Sequence, residues 1–316
     1  MLNQYKIIKF LEIIRIIRLK MTDATLMKRI SFKSCGIIHC ILLLSDYRIA
    51  LGFSNGIIKL LDPENNYNCD ITIQQEKESI YSLCQLDNGF FVCYSWELTI
   101  SLYQLHQKTY SLLCTYNQVH SDFTCSIIAL SHNRILSTSN DLSVKIWKGE
   151  APYSKTPFIF ETELIKPLSS IIEMRNIKFI VGASFNNTIY IWNSENYQII
   201  TIVEGLFAQC LLMKDHHTLY FGSWNRLFIF NVHTCKLVKE LNVEGISNIN
   251  SITLSKDGKT LIIGCKGMFC YYNLIHKQYT ISKNELAIRR ISSVINIKEH
   301  ILIGSYYSNC LDLWEY

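Results

Sequence analysis

The sequence predicts an all-β fold, a seven-bladed β-propeller whose ring is closed by an N-terminal strand. Three observations carry this expectation. One strand-ending phrase recurs at a near-constant spacing. Each repeat divides into four short runs rich in β-branched and aromatic residues. No stretch beyond the first twenty residues keeps a helical period. The phrase is clearest as Ser139-Asn140-Asp141-Leu142-Ser143-Val144-Lys145-Ile146-Trp147, and it returns at Ser184 to Trp192 and at Ser305 to Trp314. Weaker copies end at Leu61, Tyr103, Phe230 and Tyr272, so successive end points lie 42, 44, 45, 38, 42 and 42 residues apart. A period of about 40 to 45 residues with four strands per unit is the signature of a propeller.

The fourth unit shows the internal grammar. Its runs are Ser169 to Met174, Lys178 to Ala183, Thr188 to Trp192 and Tyr197 to Val203. The third alternates polar and apolar residues as a half-buried strand does, and Asn-rich turns separate the runs. The last unit stops at Tyr316, directly after its third run. An open ring would leave an unpaired edge. The alternating stretch Leu26 to Phe32 is therefore expected to supply the missing fourth strand beside Cys310 to Trp314. Domain boundaries follow: an N-terminal extension over 1–22 and a propeller over 23–316, with no room for a second domain.

Seven phrases in phase identify the chain as similar to the WD40-repeat β-propellers. Members of that family place a turn Asp six residues before a Trp, as Asp141 and Trp147 stand here, and Asn186 and Trp192 keep the spacing. The resemblance covers about residue 23 to residue 316. The chain departs from the pattern in having neither the Trp-Asp dipeptide nor the Gly-His pair, and its turns at Trp224-Asn225 and Lys266-Gly267 are shortened.

The resemblance implies two sets of residues. In the family, a His ahead of the first strand, a second-strand Ser or Thr, the turn Asp and the Trp form a buried chain of hydrogen bonds. His120, Ser137, Asp141 and Trp147 stand at those places. The same residue types invite a Ser-His-Asp catalytic reading, but a catalytic serine needs exposure and an oxyanion hole, so the structural role is expected and no catalytic residue is assigned. The residue just before the turn Asp lines the rim of the top face in such propellers. Here it is Ser54, Trp96, Asn140, Phe185, Trp224, Lys266 and Tyr307 in turn. Trp96, Phe185, Trp224 and Tyr307, with Asn140, are the expected partner-binding residues, because large aromatics dominate binding hot spots.

Composition narrows the function classes. Twelve Cys with no Cys-x-x-Cys pair read as small core residues of a reducing compartment, which points to the cytoplasm, and not as a zinc site. His216-His217 beside Asp215 reads as a surface turn, so no metal and no cofactor is expected. Of the net charge of +5, the first twenty residues hold +4, leaving 26 basic against 25 acidic residues in the propeller. A near-neutral body lacks the footprint of a nucleic-acid binder. Charges fall at every third position from Lys6 to Arg18, which spirals them round a helix and interrupts every apolar run. A transmembrane span is therefore not expected; a packed arm, a presequence or an extension ahead of Met21 fits. The expected function is a non-catalytic scaffold or adaptor that binds a protein or peptide on its top face within a larger assembly. The alternative is a peripheral membrane propeller that binds phosphoinositides through Arg289-Arg290 and the basic N-terminal arm.

Overall fold

The computed structural model describes residues 25–315 apart from 75–76, 154–155, 161–163, 244–245, 247, 267, 284–289, 298–299 and 307. The 1–22 extension thus lies outside the described residues. Six four-stranded antiparallel sheets are each built from consecutive strands in chain order, spanning 38–74, 80–116, 124–160, 168–204, 210–242 and 251–283. We refer to them as blades one to six. The expectation of seven blades is corrected by this count. The remaining sheet is a composite of the N- and C-terminal strands, ordered Thr25–Ser31, Cys310–Glu315, His300–Tyr306, Arg290–Ile297. The reason is physical: the recurring phrase marks one hairpin per unit, and the last hairpin belongs to a unit with only three strands of its own.

Thr25–Ser31 runs antiparallel to Cys310–Glu315, with Leu26 opposite Trp314 and Ser31 opposite Cys310. Side chains hold this seam together. The Arg29 guanidinium donates to both oxygens of the buried Asp312 carboxylate at 2.7 and 2.9 Å. Lys28 donates to the backbone and side-chain oxygens of Asn66 in blade one. Paired, fork-shaped contacts to a carboxylate are among the stronger hydrogen bonds available.

The first strands of neighbouring sheets touch one another in a closed circuit, the strand Ile38–Leu43 meeting Arg290–Ile297, so they line the axis. Apolar faces meet at every junction between sheets. Ile80, Phe91 and Tyr103 of blade two close on Ile58, Leu60 and Ile71 of blade one. Phe221, Phe228 and Phe230 of blade five close on Val181, Ile189 and Ile191 of blade four. Each blade buries both faces, which explains second strands buried from end to end, such as Ile49–Phe53 and Phe91–Ser95.

One local feature matters for the site. In blades one to four the first strand carries a register shift near its start, between Ile38 and Cys40, Ile80 and Ser82, Thr124 and Ser126, and Leu168 and Ser170. A bulge inserts one residue and re-aims a side chain. His39 and Tyr81 occupy two of these bulges.

Candidate functional site

Blade three contains the polar chain. Trp147 Nε1–H donates to Ser137 Oγ at 2.9 Å, Ser137 Oγ lies 2.8 Å from His120 Nε2, and His120 Nδ1 lies 3.0 Å from an Asp141 carboxylate oxygen. One arrangement of protons satisfies all three contacts: the imidazole carries its proton on Nδ1, facing the carboxylate, and accepts from the serine on Nε2. Asp141 also accepts from the backbone N–H groups of Ser121 and Ser143 and from Ser143 Oγ–H. Burial lowers the His120 imidazole below its ordinary value against the pull of Asp141. Burial alone would raise Asp141, but the bonds from Ser143 and Ser121 and the nearby His120 outweigh it and hold the carboxyl far below the usual range. Ser137 has no exposed surface. A hydroxyl sealed in this way has no access to a substrate, and each member of the set is held by its neighbours within the blade.

The aromatic residues lie elsewhere, at the ends of the blades where chain enters each first strand. The Trp96 N–H donates to the Ser79 carbonyl at 2.9 Å, Asn140 to Phe123 at 2.8 Å, and Phe185 to Pro167 at 3.1 Å. The Trp224 carbonyl accepts from Ile249 on entry to blade six. The turns between second and third strands are therefore tied to the entry loops of the same end. Trp96, Phe185 and Trp224 are 49%, 55% and 61% exposed, and Asn140 is exposed as well. Tyr307 lies outside the described residues, as does Arg289; of Arg290 only the backbone is described.

These rings form two groups. Trp96 packs 4.7 Å from Phe123 and 5.3 Å from Tyr81, and Tyr81 stacks on His39 at 4.7 Å. Phe185 and Trp224 each lie within 6.4 Å of Phe207, which bridges them. Sequence reasoning found the turn residues but missed Tyr81, Phe123, Phe207 and His39. Phe123 and Phe207 stand in irregular entry loops, and the bulges that turn Tyr81 and His39 toward this end leave no mark in the alternation pattern. Beside the first group lies a hollow of about 660 Å³, lined by Tyr81, Trp96, Leu98, Asp122, Phe123 and Asn140 among others.

No group of three or more His, Cys, Asp or Glu side chains suited to a metal occurs among the described residues. His217 packs 4.6 Å from His233, and His216 contacts Asn176.

These features define a β-propeller fold. No protein-family model and no curated protein sequence matches the chain. Among solved structures, the chain is similar to the WD40 β-propeller domain of Doa1. That match has a TM-score of 0.76 and 14% identity over 93% of this chain and 97% of the other. Likeness at that identity is a likeness of fold.

Proposed function

We propose that the chain is a non-catalytic platform that binds a protein or peptide partner at the aromatic end of its blades, serving a larger assembly in the cytoplasm. The observation that carries this reading is the pair of half-exposed aromatic groups, Trp96 with Tyr81 and Phe123, and Phe185 with Phe207 and Trp224. Large rings held half out of water on rigid blades are costly to expose and are the side chains that dominate binding energy. The thiols support a reducing compartment. Burial pushes the thiols of Cys40, Cys84, Cys210 and Cys270 up to about 12, so they remain protonated at neutral pH. Among the described residues no helix is long and apolar enough to cross a membrane.

Two double variants test the reading, Trp96→Ala with Phe123→Ala and Phe185→Ala with Trp224→Ala. Each anchor ring contributes on the order of 2 kcal/mol when a partner desolvates it, roughly a 30-fold change in Kd. Partners recovered by affinity purification from cells and quantified by mass spectrometry should be lost with at least one double variant. Melting temperatures should stay within about 2 °C of the parent. Recovery of every partner by both variants overturns the proposal.

A further inference from the structure

We propose that the hollow between blades two and three receives an arginine side chain of a peptide partner. The inference rests on the reading that this end binds peptides, and it adds the chemistry of the anchor.

Three rings wall the hollow. Tyr81, Trp96 and Phe123 lie mutually within 5.3 Å, centroid to centroid. The charged group in the lining is Asp122, which is exposed. One Asp122 oxygen accepts from the Phe123 backbone N–H at 2.6 Å, which ties the carboxylate to the loop that carries Phe123. Asn140 adds an amide to the lining. No Lys or Arg stands among the lining residues.

This combination discriminates among ligands. An anion would meet Asp122 with no compensating cation in the lining. An aliphatic chain would use the rings but would strip water from the carboxylate and give nothing back. A lysine would supply charge through a compact, strongly hydrated ammonium. A guanidinium lies flat on an aromatic face and presents paired N–H groups to a carboxylate, so it uses both parts of the site. The second aromatic group provides an internal contrast. Asn186, Asn225 and Gln209 flank Phe185, Trp224 and Phe207, and no carboxylate stands next to those rings in the sequence.

The test uses the full chain labelled with nitrogen-15. The Trp96 indole signal is assigned from the loss of one peak in Trp96→Phe. Three blocked tripeptides are titrated, Gly-Arg-Gly, Gly-norleucine-Gly and Gly-Glu-Gly. The arginine peptide should move the Trp96 indole saturably and leave the Trp224 indole in place. The norleucine peptide should bind at least tenfold more weakly, and the glutamate peptide should not bind. Asp122→Asn should weaken the arginine peptide about tenfold. The proposal is overturned if norleucine matches arginine or if Asp122→Asn binds unchanged. It is also overturned if the arginine peptide gives no shift up to about 20 mM, well above the ~1 mM reasonable for one anchored side chain. Failure here with continued partner loss in the Trp96/Phe123 double variant removes only the arginine assignment; failure of both removes the binding site as well.

Discussion

Blades three and four carry the same phrase and hold their tryptophans by different means. Register makes the positions equivalent: Trp147 faces Ile135 and Trp192 faces Ile180 across the same hairpin. Two residues on from those partners stand Ser137 in blade three and Gly182 in blade four. The His120 position, four residues ahead of the first strand, is Leu164 in blade four, and the Asp141 position is Asn186. In blade three the indole N–H is anchored through Ser137 and His120 to Asp141. In blade four the ring lies over Gly182 and stacks on Tyr190 at 5.5 Å and 10°, while Leu164 joins the apolar cluster around it. One device is shared. Ser139 Oγ donates to the carbonyls of Asp122 and Phe123, and Ser184 Oγ donates to those of Lys166 and Pro167. The serine that ties the turn to the entry loop is thus common to both blades. The polar chain behind the tryptophan is replaceable by close aromatic packing.

The largest test of this contrast is Ser137→Ala. It copies the loss of the hydroxyl in blade four without giving Trp147 a glycine to lie on. Two buried groups, the Trp147 N–H and His120 Nε2, lose their common partner, at about 1–3 kcal/mol each. Urea unfolding should show a loss of roughly 2–6 kcal/mol. A loss below about 1 kcal/mol would mean that the indole finds another acceptor and that the chain contributes little.

The reciprocal change is Gly182→Ser. A Cβ at Gly182 would approach Trp192 Cζ3 to 2.9 Å and Leu168 Cδ1 to 3.0 Å, so the indole has to move. Overpacking of this size costs about 1–3 kcal/mol. Without a histidine at position 164 the new hydroxyl has no chain to join. Unchanged stability by the same unfolding measurement would show that the ring rocks freely between the two arrangements.

The same contrast explains what could be read from the sequence. Strand spacing follows from the rise and pairing of extended chain, so the period located the hairpins of every sheet. The four polar residues of blade three kept family-like offsets and could be picked out one by one. Leu164 and Gly182 carry no such signal, because stacking over a glycine is a matter of shape and not of residue type. The count of blades failed where hairpins were read as whole units. The aromatic end was half legible: Trp96, Phe185 and Trp224 sit in turns fixed by the repeat, whereas Phe123 and Phe207 depend on loop conformation. The separation into two groups depends on the ring of Phe207, which no period could place.

The smallest expected effect is in the pH dependence, and it separates the two blades most cleanly. His120 is buried with its imidazole lowered below the ordinary 6.5, burial being the main cause. The sign follows from linkage: below about pH 6.5 the unfolded chain takes up a proton that native His120 does not, so stability present above that pH is lost as the pH falls. One proton limits the slope to about 1.4 kcal/mol per pH unit. Asp141 acts in a lower window. Its depressed carboxyl contributes stability above the ordinary 3.8, and that contribution disappears as the pH drops further. Leu164 and Asn186, which stand at these positions in blade four, do not titrate and contribute to neither window. Unfolding free energies of the parent and of His120→Leu, measured from pH 8 to pH 5, isolate the term because the other histidines cancel in the difference. His120→Leu should be the less stable at pH 8, where Ser137 and Asp141 lose their partner, and the gap should narrow toward pH 5. A constant gap across the range would mean that His120 gains its proton in the folded blade, and the buried neutral imidazole would have to be given up.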